Sequence, residues 1–139
     1  MRILVINGPN LDMLGRREPE IYGQKTLEEI NAYIAAEFEE ETDEIEFFQS
    51  NSEGAIIDKI HEADSFDGAV INPGAYAHYS YAIYDAIKSV STPFIEVHSS
   101  QIETRPEPWR RQSVTAPACR GMISGRGIDG YIDAINALL

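Results

Sequence analysis

Five short apolar runs alternate with stretches of helical period along this chain, and that alternation constrains the fold more than any other feature. The runs are Ile3-Leu4-Val5-Ile6, Ile45 to Gln49, Ala69-Val70-Ile71, Phe94 to Val97 and the weaker Cys119 to Ser124. They are short and largely continuous, whereas a strand with one wet face alternates apolar with polar residues. Strands of this kind are buried on both sides, the condition of a parallel sheet covered by crossover helices. The helix signals between them are specific. Thr26-Leu27-Glu28-Glu29 reads as a capping box, followed on one face by Leu27, Ile30, Ile34 and Phe38, with an acidic outer face ending near Glu41. Ser52 caps a helix carrying Ile56, Ile57, Ile60 and Ala63. The helix after the third strand turns Ala82, Ile83, Ala86, Ile87 and Val90 inward, and the last helix uses Ile128, Ile132, Ile135 and Leu139.

Right-handed crossovers leave few arrangements of such a chain. The expected architecture is α/β, a flavodoxin-like three-layer fold with a five-stranded parallel sheet of order 2-1-3-4-5. With 139 residues and no repeats, low-complexity tracts or linkers, residues 1–139 are expected to form one domain. Strands 1, 3 and 4 then lie side by side, and the polar residues just after them converge at the carboxyl edge, where such sheets bind ligands. Those residues are Asn7 to Tyr22, Asn72 to His78, and Glu96 to Arg110. The first segment, NGPNLDMLGRREPEIYG over 7–23, is long and has no periodicity of its own, which favours a functional loop.

The net charge of -12 argues against nucleic-acid and anionic-membrane partners. No apolar stretch reaches membrane-spanning length, no signal-peptide layout opens the chain, and one cysteine, Cys119, fits a reducing compartment. The expected location is cytoplasmic. Against this acidic background, Arg16-Arg17 and Arg105/Arg110-Arg111 cluster, a pattern suited to carboxylate or hydroxyl recognition. Solvated surface charge is the plainer reading of the same clusters.

Three constellations carry chemistry. A guanidinium beside a phenol favours the phenolate, so Arg16 or Arg17 with Tyr22 could make a base able to take a proton next to a carbonyl. A loop tyrosine that merely packs its ring fits the same spacing. Strand alternation puts Glu96 and His98 on one face, where a carboxylate can orient an imidazole for general-acid work. Asn72-Pro73-Gly74-Ala75-Tyr76-Ala77-His78 offers an amide, and in Gly74 a point where backbone can approach a ligand, although such a turn needs none. The strand-end aspartate of a phosphorylated signalling domain is absent. No Walker or GxGxxG pattern is present, and the three histidines lack metal-ligand spacing, so neither a nucleotide cradle nor a metal site is expected. His61 on its helix and Cys119 in its strand read as structural, and Met13, Met122 and Tyr81 as packing. A flavodoxin-like module that binds a phosphorylated ligand or signals is the rival reading; it leaves Glu96-His98 and Arg17-Tyr22 unexplained.

Together, the segments NGPNLDMLGRREPEIYG, QSNSEG, INPGAYAH, FIEVHSS and GRGIDGY resemble type II 3-dehydroquinate dehydratase in order and spacing over essentially the whole chain. The resemblance implies a flavodoxin-like fold, a homo-oligomer (a dodecamer built from trimers) and no cofactor. The implied reaction is elimination of water from 3-dehydroquinate, its small-molecule substrate, to give 3-dehydroshikimate through an enolate. It serves the shikimate pathway of aromatic amino-acid biosynthesis or quinate breakdown. Carried over by position, Tyr22 is the base at C2, Arg17 holds it as phenolate, and Asn10 positions a water at the enolate. His98, supported by Glu96, protonates the leaving C1 hydroxyl. Asn72, beside Gly74, binds the substrate carboxylate with Ser99 and Ser100, while His78 and Arg110 meet the ring hydroxyls. Asp85 reaches a neighbouring subunit's site, and the first loop acts as a lid. The segment SQIETRPEPWRRQS departs from the family: Glu103 and Arg111-Gln112 stand where histidines are usual, and one residue is added before Trp109. That leaves both Arg110 and Arg111 open as the ring contact, and Arg105 aligned but without a role.

Overall fold

The computed structural model describes residues 1–16 and 18–139, with Tyr22 described by its backbone alone. Its five strands are β1 (Arg2–Asn7), β2 (Glu44–Gln49), β3 (Gly68–Asn72), β4 (Phe94–His98) and β5 (Gly121–Ser124). All pair in parallel, in the order β2-β1-β3-β4-β5. The α-helices are α1 (Pro19–Tyr22), α2 (Leu27–Glu37), α3 (Glu53–Ile60), α4 (Tyr81–Lys88) and α5 (Asp129–Leu138).

Alternation along the strands sorts the core into two layers. Ile3, Val5, Val70, Ile95 and Val97 pack under α2 and α5 with Ile30, Ile34, Tyr131, Ala134, Ile135 and Leu138. Leu4, Ile6, Ala69, Ile71 and Phe94 pack under α3 and α4 with Ile56, Ile60, Ile83, Ala86 and Ile87. The same parity sends Asn7 and Asn72, paired neighbours in the β1/β3 register, to the α5 side. It sends Glu96 and His98 to the side of Phe94.

Both cap signals are realised. Thr26 Oγ1 accepts from the Glu29 N–H while Glu29 Oε1 accepts from the Thr26 N–H, and Ser52 Oγ accepts from Ala55 N–H. Other details differ from the sequence expectation. The first long loop has structure of its own, a 3-10 turn at Leu11–Met13 and the short α1. Strand β5 begins at Gly121, because a 3-10 turn over Ala116–Ala118 takes the chain up to a half-buried Cys119. Helix α2 ends at Glu37, and Ala82 is exposed on α4. On the last helix Ile135 is buried and Ile128 and Ile132 pack against the core as expected, but Leu139 is 47% exposed beyond the helix end, and Tyr131, Ala134 and Leu138 complete the buried face. His61 is exposed at the end of α3. Met13, Met122 and Tyr81 are exposed too, Tyr81 by 68%, so packing within this chain does not account for them.

Candidate active site

At the carboxyl edge of the sheet the loops after β1 and β3 interlock. A Cβ on Gly8 would meet the Pro73 carbonyl oxygen at 2.5 Å, and one on Gly74 would meet the Pro9 carbonyl at 3.1 Å. Gly74 also has φ +60°, which a larger residue adopts only under strain. Glycine at these two positions lets β1 and β3 deliver their loops to one place. Beside that junction opens a cleft of about 110 Å³, lined by Asn10, Asn72, His78, His98, Arg105 and Arg110 among others. Ser99, Ser100 and Gly74 also line it, and Leu11, Leu14 and Ile102 give it an apolar wall. Among the described residues, no acidic side chain and no lysine belongs to this lining.

His98 rises from the end of β4, and its Nε2 meets Glu96 Oε2 at 2.6 Å. Glu96 is fully buried yet well satisfied: Ser113 Oγ donates to Oε2 at 2.5 Å and Thr115 Oγ1 donates to Oε1. Three hydrogen bonds to one carboxylate make a buried negative charge tenable and fix the imidazole it holds. With Nε2 engaged, Nδ1 is the ring nitrogen left for the cleft. Opposite, the His78 Nδ1 lies 2.7 Å from the Gln112 carbonyl, and the ring packs edge-on against Trp109 at 5.5 Å. Burial, the largest influence, holds the His78 imidazole below its usual range, helped by positive charge at His98 and Arg110 and opposed by the Gln112 carbonyl. A neutral ring that donates from Nδ1 presents Nε2 as an acceptor to a ligand hydroxyl.

The arginines divide. Arg110 lines the cleft, pairs through Nε with Glu107 and lies 4.2 Å over the Trp109 ring. Arg111 is turned onto backbone, donating to the Arg105 carbonyl at 2.7 Å and the Pro106 carbonyl at 3.1 Å. Arg105 lines the cleft and donates to Ser100 Oγ at 2.9 Å. Asn10 has φ 67°, and its N–H donates to Asn51 Oδ1 at 2.9 Å.

Of the residues expected from the sequence, the cleft gathers Asn10, Asn72, Gly74, His78, His98, Ser99, Ser100 and Arg110, with Glu96 beneath. Asp85 is not among its lining residues and is exposed on α4. Arg17 lies outside the described residues, as does the Tyr22 side chain. Sequence reasoning missed Ser113 and Thr115, whose hydroxyls are too common in loops to signal a role. It also missed Tyr131, which bonds to both Asn7 and Asn72.

Comparison with known proteins gives the same direction as the geometry. A family model described as dehydroquinase class II matches residues 1–139. The 3-dehydroquinate dehydratase of Clostridium beijerinckii is 55% identical over 140 residues, covering 99% of this chain and 95% of the relative. That of Caldicellulosiruptor bescii is 57% identical over 139 residues, with the same coverage. The crystal structure of type II dehydroquinase from Butyrivibrio crossotus superposes with a TM-score of 0.96 at 55% identity, covering 99% of this chain and 97% of that one. The one from Propionibacterium acnes gives 0.93 at 42% identity, over 99% and 94%.

Proposed function

This chain belongs to the class II dehydroquinase family, and on that premise we propose that it is a type II 3-dehydroquinate dehydratase, a hydro-lyase that eliminates water from 3-dehydroquinate to give 3-dehydroshikimate. Its setting is the shikimate pathway or quinate breakdown. The observation that carries the chemistry is the Glu96–His98 pair at the floor of a cleft whose charged lining is cationic, in a protein of net charge -12. Such a cleft suits a small hydroxylated carboxylate and supplies a proton donor held in a fixed direction.

In the proposed mechanism Tyr22, kept as phenolate by Arg17, removes a proton from C2. The electron pair moves into an enolate, stabilised through a water positioned by Asn10. The enolate collapses with loss of the C1 hydroxyl, which takes a proton from His98 and departs as water. Asn72, Ser99 and Ser100 hold the carboxylate, and His78 and Arg110 the ring hydroxyls. Support for Arg110 over Arg111 in that role comes from their different partners. Closure of the first loop, which carries Arg17 and Tyr22, would shield the enolate from solvent.

The reading extends to a cytoplasmic homo-oligomer, a dodecamer built from trimers, in which residues 1–139 act as one catalytic domain. Asp85 would serve a neighbouring subunit's site. Its exposed position on α4, together with exposed Tyr79, Tyr81, Trp109 and Met122, is what favours contact between copies. A phosphate-binding module is not favoured. The N–H groups of Gly8, Asn10, Leu11, Met13, Leu14 and Arg16 are all engaged within the chain, so these amides of the first loop do not form an anion cradle. The deciding experiment adds 3-dehydroquinate to purified protein and follows the ultraviolet rise of the conjugated enone product. A rise that depends on enzyme concentration is expected; folded protein that gives none would overturn the assignment.

A further inference from the structure

The Asn72 amide is anchored on two sides within the fold. Its Oδ1 accepts the Gly74 backbone N–H at 3.1 Å. A backbone N–H can only donate, which fixes the oxygen on that side. Its Nδ2 donates to the Tyr131 hydroxyl oxygen at 3.0 Å, and Tyr131 in turn donates to Asn7 Oδ1 at 2.5 Å. Tyr131 is 1% exposed, and burial pushes its hydroxyl up to about 12, so it stays a neutral O–H with a single destination for its proton. An amide nitrogen carries two hydrogens, and one is engaged by Tyr131. The second N–H is what Asn72 has left for the cleft it lines.

We infer that Tyr131, reaching from α5 to the ends of β1 and β3, is a positioning residue for carboxylate recognition: held by Asn7, its hydroxyl locks the Asn72 amide so that one N–H faces the ligand carboxylate. The inference rests on the dehydratase reading of the cleft. Tyr131 does not itself line the cleft. Its contribution is preorganisation, since an amide fixed beforehand gives up little freedom when the ligand arrives. Removing the hydroxyl oxygen strands one Nδ2 hydrogen without its acceptor and lets the amide tilt away from the ligand. The carboxylate contact is common to ground and transition states, so the loss falls on binding rather than on turnover.

Tyr131→Phe keeps the ring and its packing while removing the hydroxyl. The expected result is a KM for 3-dehydroquinate raised about 10-fold with kcat held within about threefold. Quinate affinity should fall by a similar factor, whereas quinamide, the neutral amide of the same ring, changes by less than about threefold, because it lacks the charge the amide recognises. Adding Tyr131→Phe to Asn72→Ala should change KM no further than Asn72→Ala alone, since the two act as one unit. An unchanged KM, equal weakening of quinate and quinamide, or additive effects would each overturn the inference. Should the variants not fold, wild-type protein labelled with 15N-asparagine gives the same decision. On titration with quinate, one Asn72 side-chain proton resonance should move while the one held by Tyr131 stays; equal movement of both would overturn it. Wild-type protein that neither turns over 3-dehydroquinate nor binds quinate would instead remove the dehydratase reading itself.

Discussion

Glu96→Gln isolates the charge behind the proposed acid from everything else at the site. The replacement keeps the side-chain volume in a position that is 0% exposed, so no cavity is made. Hydrogen bonding can also be kept. If the new amide nitrogen takes the Oε1 side, it donates to Thr115 Oγ1, and the displaced hydroxyl proton can turn to Ser113 Oγ, 3.1 Å away. The amide oxygen then still meets His98 Nε2 and Ser113. What disappears is the ionic part of the His98 bond. A hydrogen bond to a charged group contributes about 1.5–3 kcal/mol and a neutral one about 0.5–1.5, so the difference is about 1–2 kcal/mol. At about 1.36 kcal/mol per tenfold, elimination should slow by about 5- to 30-fold. KM should stay within about threefold, because Glu96 lies beneath His98 and does not line the cleft.

Two assays separate the steps. Enone absorbance reports elimination, and deuterium uptake at C2 of unreacted substrate in heavy water reports proton abstraction. Exchange should persist in Glu96→Gln while elimination drops, so the ratio of exchange to turnover rises. Elimination at the wild-type rate would refute the role of the pair. A parallel fall of exchange and elimination would refute the assignment of His98 to the second step alone.

Three other perturbations have defined outcomes. Arg110→Ala should raise KM by about 10-fold or more, whereas Arg111→Ala, whose guanidinium holds the Arg105 and Pro106 carbonyls, should leave KM within about twofold and cost only about 1 kcal/mol in denaturant stability. Borohydride added with substrate should add no mass to the protein: among the described residues no lysine lines the cleft, and Lys59 is paired with Glu46 and Glu62, so an imine has no partner there. His78 predicts a pH effect on stability. Its folded value lies below the unfolded one, so the unfolded chain binds the extra proton, and stability present above the ordinary value of about 6.5 is lost as pH falls below it. Urea midpoints measured between pH 7.5 and 5.5 should therefore decline less steeply in His78→Asn than in wild type; identical slopes would show that His78 does not carry the linkage.

The parts of the fold that were legible in the sequence depend on near neighbours. The capping box at Thr26 and the cap at Ser52 are set by residues three positions apart, and the Glu96–His98 pair follows from strand parity alone. The sheet order follows from the handedness of the crossovers between continuous apolar strands. The incomplete reading of the inner face of α5 has a different origin. Ile128, Ile132 and Ile135 do join the core and Leu139 does not, but the largest buried side chain of the helix is Tyr131, whose hydroxyl could enter the core only because Asn7 and Asn72 meet it there. Those partners lie 124 and 59 residues away, and no local pattern in α5 announces them. Ser113 and Thr115 were missed for the same reason: their value lies in reaching Glu96 from 17 and 19 residues downstream. Exposed Met13, Tyr81 and Met122 show the opposite error, in which large apolar residues are read as packing that this chain alone does not supply.

The charge distribution joins composition to chemistry. A protein of net charge -12 repels an anionic ligand at long range, but at physiological salt that repulsion is screened beyond about 8 Å. Inside that distance a ligand in the cleft would meet Arg105, Arg110 and two imidazoles, while the Glu96 carboxylate is masked by His98 and its hydroxyl partners and that of Glu107 is paired with Arg110. The acidic residues can therefore occupy outer faces, as Glu28, Glu29 and Glu37 do on α2, without opposing binding. Because Glu96 is held by His98 and two hydroxyls and does not line the cleft, it can orient the proposed proton donor while staying shielded from the substrate carboxylate. Under the same proposal Tyr131, which holds the Asn72 amide, would serve the neutral donor in the same way with no charge of its own. In the proposed mechanism one arrangement thus separates two tasks on neighbouring strands: β4 would carry the group that moves a proton, and β3 the group that holds the ligand still.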